Sequence, residues 1–336
     1  MNAPLQANLP AWISAQTKQL LAQRGHAWLL QGPSGLGQYS LALALAQAWL
    51  CENPDSQGAC GTCGSCHAVN VRTHADLCVL MPETTLLELA WPLSEKAQGE
   101  IDDKKRKASR EIRVDAMRDA VEFSQRTSAR GRGKVVLVFP AEQMNTIAAN
   151  ALLKTLEEPP GDVKFVLATE SAHQLLATIR SRCLGHTMVW PEDAQAMHWL
   201  QACGVDPASA GVLMKAAGGR PEEALSYLQS GRNPADWAHF PEAMARGDVA
   251  FVKDWPPAQL IDALHKLCHD LLARQAGAVP RFFDPKCLLR AVPLPALTVW
   301  SGSLSKAMRT MDHPFNAGLM LESLVGQAQS TLNLRP

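Results

Sequence analysis

The sequence predicts a doubly wound α/β domain built on a parallel sheet, followed by helices to the end of the chain. Three observations lead there. A glycine-spaced loop, Gly32 to Tyr39, joins an apolar strand to an apolar helix. Apolar runs of strand length then alternate with helical periodicity as far as Trp190. From Pro191 onward the periodicity is helical alone. Strands alternating with helices build a parallel sheet covered on both faces.

Composition sets bounds. At 336 residues, 47% apolar and 19% charged, the chain is long enough for two or three domains, each with its own core. Thirty-two basic residues balance 32 acidic ones. That excludes a global field for holding nucleic acid and leaves any DNA contact local or shared with other subunits. Met1 to Pro10 has neither a basic start nor a long apolar stretch, so no signal peptide is expected. The longest apolar run, Leu41 to Leu50, is about half of the ~20 residues that span a bilayer. The expectation is a cytoplasmic chain without membrane contact, whose nine cysteines are reduced or metal-bound rather than in disulfides.

Thr17 to Arg24 reads as a short helix leading into the first strand, Ala27 to Leu30. The next loop has P-loop layout: Gly32 and Gly37 with four residues between them, one of which is Gly35, set between strand and helix. The two chemical positions hold Gln38 and Tyr39 where a P-loop carries Lys and then Ser or Thr. That lysine reaches the β- and γ-phosphates, and the small hydroxyl ligates Mg²⁺. Gln has no charge, and a phenol is too bulky to stand in for Ser. The loop is degenerate, and ATP is not expected to bind. The helix from Ser40 is apolar nearly all round, as suits burial against a sheet.

It runs into Cys51-x8-Cys60-x2-Cys63-x2-Cys66, with Gly61 and Gly64 inside the short spacers. Four such closely spaced thiols in a reducing compartment match a tetrahedral structural Zn²⁺ site over 51–66. With four thiolates no coordination position stays open, so the site is assigned no catalysis; metal binding fixes a loop too small to fold alone. His67 reads as a solvated loop histidine, and Cys78, Cys183, Cys203, Cys268 and Cys287 as core residues.

Asp76 to Met81 reads as the second strand. Residues 83–113 interrupt the pattern; seven basic and five acidic residues fall between Glu95 and Arg113, with no interleaved aromatic. This reads as a mobile, self-compensating surface insertion rather than a nucleic-acid contact. A helix restarts near Val114, and Lys134 to Phe139 is a buried parallel-type strand. In an ATPase of this layout that strand ends in Asp-Glu, which holds Mg²⁺; here it ends in Phe139-Pro140. Two separate lesions at linked positions predict loss of ATP hydrolysis. Next come a helix ending in Leu156-Glu157-Glu158-Pro159-Pro160, a strand from Lys164 to Thr169, a short helix from Leu175 to Ile179, Ser181-Arg182-Cys183, and a fifth strand from Thr187 to Trp190.

The stretch Asn150 to Pro160 together with Ser181-Arg182-Cys183 resembles the clamp-loader branch of the AAA+ ATPases. The Cys51/Cys60/Cys63/Cys66 module narrows the resemblance to the bacterial DNA polymerase III loader, and the two lesions narrow it to a non-hydrolysing stator. The resemblance implies a P-loop NTPase-like AAA+ domain over 1–190, a small helical lid domain over 191–230, and an all-α collar domain that oligomerises over 231–336. It implies motor (gamma/tau) and delta subunits as partners, with the sliding clamp and primer-template DNA met through the complex. It also implies that Arg182 acts in trans as an arginine finger on a neighbour's ATP, a role that suits a permanently charged, forked guanidinium. Thr169 falls where that family has its first nucleotide sensor. At the second sensor this chain reads Gly219-Arg220-Pro221, with Pro near the expected Arg.

Three short helical segments fill 191–229, Gly231 to Pro234 reads as a linker, and the rest to Arg335 is helical. Leu260, Leu264, Leu267, Leu271 and Leu272 form one apolar stripe, and Ala317, Met320, Leu321, Leu324 and Val325 another. Two rival functions are a self-contained P-loop ATPase with an atypical site and a zinc module that reads nucleic acid. Neutral charge and the lack of basic-aromatic interleaving weigh against the second.

Overall fold

The computed structural model describes residues 9–288, 291–310 and 316–334. The outer parts of the expected first and last domains, residues 1–8 and 335–336, lie outside the described residues. Two compact units divide the chain, one ending at Cys203 and one beginning at Gly204.

The first unit is built on five parallel strands: β1 (Ala27–Gln31), β2 (Leu77–Leu80), β3 (Lys134–Val138), β4 (Val163–Thr169) and β5 (Leu184–Thr187), in the order β2-β3-β4-β1-β5. Successive side chains point to opposite faces, and the two cores follow from this. Trp28 and Leu30 of β1, Val135 and Leu137 of β3, and Val166 and Ala168 of β4 share one core. It also takes in α1 (Ala11–Leu21) and α2 (Gln38–Leu50). Ala27, Leu29, Val136, Val138, Phe165 and Leu167 face the other, with α6 (Val114–Gln125) and α7 (Thr146–Glu157). The sheet is therefore covered on both faces, as expected. α2 is buried along most of its length, matching its apolar circumference.

Three expectations need correction. The first helix starts at Ala11, six residues before Thr17, because Trp12 and Ile13 are core residues that its first turn buries. The fifth strand is Leu184–Thr187 rather than Thr187 to Trp190; its register against β1, Trp28 to Leu184 and Gln31 to Thr187, is set by pairing and not by apolar content. Residues 83–113 are not a loose excursion. They form α4 (Glu83–Glu88) and α5 (Glu95–Asp102), clamped by Arg106, which bonds both Glu83 and Glu100. Bonding to Arg106 holds the Glu83 carboxyl below its ordinary range.

Between α2 and β2 lies α3 (Gly64–Asn70), which carries part of the cysteine module. Downstream of β4, α8 (Ala177–Arg180) leads to Arg182, and α9 (Asp193–Ala202) completes the unit, with Trp199 edge-on to Trp12 at 5.5 Å.

The second unit holds six helices among the described residues: α10 (Pro207–Ala216), α11 (Pro221–Gln229), α12 (Pro234–Arg246), α13 (Pro257–Gln275), α14 (Leu294–Arg309) and α15 (Ala317–Leu332). Of the two predicted stripes, Leu260, Leu264, Leu267, Leu271, Leu321, Leu324 and Val325 are buried. Ala317 is exposed, and Leu272 and Met320 are half-buried. Among the described residues no helix is long and apolar enough to cross a membrane.

Candidate functional site

In an open parallel sheet, ligands bind outside the carboxyl ends of the strands. At that edge lie the glycine loop after β1, Phe139 after β3 and Thr169 at the end of β4, on three adjacent strands. The loop has P-loop form. Gly37 caps α2 in the left-handed region, at φ 97°, which only glycine adopts freely. A Cβ on Gly32 would lie 2.9 Å from Cβ of Met188, so that position also requires glycine.

The chemistry at the loop is self-contained. Gln38 is buried, and its Nε2 donates to the carbonyls of Gly32 and Pro33, at 2.7 Å each. The side chain in the lysine position thus turns back and ties the loop to itself. Tyr39 packs against Phe139 with ring centroids 5.6 Å apart, within the range of a favourable aromatic pair. These are the two positions that jointly hold Mg²⁺ in an active site of this layout. Mg²⁺ takes six oxygen ligands at ~2.0–2.1 Å. Phe139 offers none, and the Tyr39 oxygen already accepts from Nε1 of Trp91 at 2.7 Å. Burial raises the Tyr39 phenol above its ordinary pKa, so it stays neutral. Arg72 lies over the Trp91 ring at 5.6 Å and closes the cluster.

Thr169 is fully buried; its hydroxyl donates to Glu142 at 2.7 Å and accepts from the Ser171 amide at 3.1 Å. Its hydrogen bonds thus serve the strand end. In the second unit, Nε of Arg220 donates to the Ala217 carbonyl at 2.8 Å, and the guanidinium lies 4.0 Å from Glu223.

Arg182 stands on the surface beyond α8, its side chain about one-third exposed. Its Nε donates to Glu157 at 2.6 Å, Nη2 bonds the same oxygen, and Nη1 donates to the Thr178 carbonyl at 2.9 Å. Arg182 is legible in the sequence through its Ser-Arg-Cys setting, whereas the parts played by Glu157, Trp91, Arg72 and Glu142 are not. None of these carries a local spacing signal; each acts through a contact made only in the folded chain.

The four predicted cysteines converge. Their sulfurs all lie within 4.8 Å of one another, with Cys51 to Cys60 at 3.5 Å, Cys51 to Cys63 at 3.8 Å and Cys60 to Cys66 at 4.0 Å. A tetrahedron with Zn–S bonds of about 2.3 Å has edges of roughly 3.8 Å, so the donor set fits a Zn²⁺ ion. The amides of Cys60, Cys63 and Cys66 point at sulfurs of this cluster, at 3.3 to 3.4 Å. Hydrogen bonds from the Thr62 and Cys63 amides hold the Cys60 thiol down to about 6, whereas burial raises Cys51 and Cys66. The module is tied to the fold through Gln47 of α2, which donates to the Cys66 carbonyl, and through Glu52, which accepts from Ser65 and Arg130. His67 is exposed and outside the cluster. Of the other cysteines, Cys268 is buried, Cys78, Cys183 and Cys287 are half-buried, and Cys203 is exposed, contrary to its expected core position.

The family model described as DNA polymerase III, delta subunit, matches residues 11–188. A Pseudomonas aeruginosa protein named DNA polymerase III subunit delta′ is 40% identical over 64% of this chain, a match that spans 60% of that relative's length. A Yersinia pestis protein of the same name is 30% identical over 75% of each chain. The crystal structure of a DNA polymerase III gamma subunit-related protein from Thermotoga maritima superposes with a TM-score of 0.51 at 16% identity, covering 96% of this chain and 100% of that one, and so shares the fold. On the family match and the agreement of these relatives, the chain belongs to the DNA polymerase III delta-subunit family and, within it, groups with the members named delta′.

Proposed function

We propose that this chain is the non-hydrolysing stator of the DNA polymerase III clamp loader and a component of that holoenzyme. In this reading it acts in the cytoplasm with the motor (gamma/tau) and delta subunits to place the sliding clamp on primed DNA. It binds no ATP itself and lends Arg182 to the ATP of a neighbouring motor subunit. The observation that supports this most is the aromatic pair Tyr39–Phe139, which fills the place of both Mg²⁺ ligands. Gln38, spent on loop carbonyls, points the same way. In the same reading residues 1–190 form the AAA+ domain, 191–230 the lid and 231–336 the collar, and Zn²⁺ on Cys51, Cys60, Cys63 and Cys66 is structural.

Catalysis by an arginine supplied in trans rests on its permanent charge meeting the charge that develops on the transferring phosphoryl group, and is worth ~10³–10⁵ at the site served. Arg182→Ala should therefore leave this subunit folded and able to assemble. It should nearly silence one motor site, so that DNA-stimulated ATPase of the reconstituted loader falls. The check is steady-state ATPase of wild-type and variant loaders at matched assembly. An unchanged rate would remove Arg182 from the mechanism.

A further inference from the structure

We infer that Glu157 is a positioning residue for Arg182, holding the guanidinium in a resting pose from which it must be released to reach a phosphate. The inference rests on the trans-arginine reading given above. Arginine has five N–H donors and no acceptor. Here the Nε and Nη2 edge is turned onto one oxygen of Glu157, while Nη1 donates to the Thr178 carbonyl at 2.9 Å and the Ser181 hydroxyl at 3.4 Å. One N–H remains uncommitted. A carboxylate that merely aimed the group would leave the outer N–H groups open toward the target; here four of the five are committed within this chain.

The local structure explains how the pair forms. Glu157 is the last residue of α7, stopped by Pro159 and Pro160, so the carboxylate stands at a fixed helix end. Thr178 belongs to α8, and because the Arg182 amide bonds Ile179 instead, the Thr178 carbonyl is open to side-chain donors. The guanidinium therefore caps α8 while it is held by α7. Both charged partners are partly exposed, and exposed ion pairs are weak. The contact is strong enough to bias the arginine and weak enough to yield to a polyphosphate with its larger negative charge.

Removing the carboxylate charge frees the arginine before the complex is fully engaged. In a reconstituted loader, Glu157→Gln should raise ATPase in the absence of clamp and DNA, lowering the ratio of stimulated to basal turnover by about two- to fivefold, the worth of an exposed pair. Glu157→Asp should keep the wild-type ratio, and in the Arg182→Ala background Glu157→Gln should change nothing. If Arg182→Ala slows the stimulated reaction but Glu157→Gln leaves the ratio unchanged or lowers both rates, the resting-pose role is wrong and the arginine role stands. If Arg182→Ala has no effect, the trans-arginine reading falls, and the inference with it. Thermal melting of each free subunit identifies variants that act through misfolding.

Discussion

Asp76 is fully buried, and four donors converge on its two oxygens: the amides of Ala129 and Arg130, the Ser128 hydroxyl and Nζ of Lys134, at 2.8 to 3.1 Å. Burial works to raise this carboxyl, but the amide bonds, with Lys134 and Ser128, outweigh it and hold its pKa below the ordinary 3.8. A folded-state pKa lowered in this way gives stability that is present above 3.8 and lost as pH falls through the lower folded value. Asp76→Asn leaves Lys134 buried without its counter-charge, a change that costs about 3–5 kcal/mol. Urea melts should show that deficit undiminished from pH 7 to pH 5 and narrowing below about pH 4. A deficit of equal size at pH 3 would mean that packing, not charge, is at stake. The pair also marks where sequence reasoning stops. Gln38, Tyr39 and the cysteines are legible because their chemistry is set by neighbours a few residues away. Asp76 meets Lys134 across 58 residues, Tyr39 meets Trp91 across 52, and Arg182 meets Glu157 across 25. Such meetings leave no periodic trace.

Elements were legible in proportion to how much their own side chains decide them. β1, β3 and β4 each centre on an unbroken apolar run of four or five residues, and the sequence places each to within a residue. β5, Leu-Gly-His-Thr, has no such run and exists because β1 offers it an edge. Segment 83–113 reads as mobile because its charges nearly cancel, yet buried Glu83, paired with half-buried Arg106, and the buried Trp91 dock it. The cysteine module is the opposite case, fully legible from spacing. Cys63 has two roles there: it is a candidate Zn²⁺ ligand, and it caps α3 by accepting from the Cys66 amide. Serine is a good N-cap but not a thiolate, so Cys63→Ser separates the roles. Native mass spectrometry should find one zinc per wild-type chain and none in the variant. Limited proteolysis should then cut the variant within 51–66 while the sheet stays protected, because metal binding supplies folding free energy in such a loop. A variant that lacks zinc and still resists cleavage there would show that the loop folds without metal.

Across the whole first unit, the strand order β3-β4-β1 brings the two lesions into contact at one edge of the sheet. They are therefore one structural feature rather than two independent losses. Tyr39 is held from three sides, by Phe139, by the Trp91 indole and by burial of its ring among the α2 core. Restoring charge at the loop leaves that corner intact. The proposal accordingly predicts that Gln38→Lys alone does not recover nucleotide binding: the ammonium can reach phosphate, but Mg²⁺ still meets two aromatic rings where it needs oxygen at ~2.0–2.1 Å. Titration of the full chain with a fluorescent ATP analogue and Mg²⁺ should show no saturation in the micromolar range for wild type or for Gln38→Lys. Tyr39→Thr with Phe139→Asp, added to Gln38→Lys, removes the ring pair and supplies oxygen at both corners, so binding should return in the triple variant if it folds. Micromolar affinity in the wild type would favour a self-contained ATPase. Micromolar affinity in Gln38→Lys alone would show that charge, not the aromatic corner, is what this loop lacks.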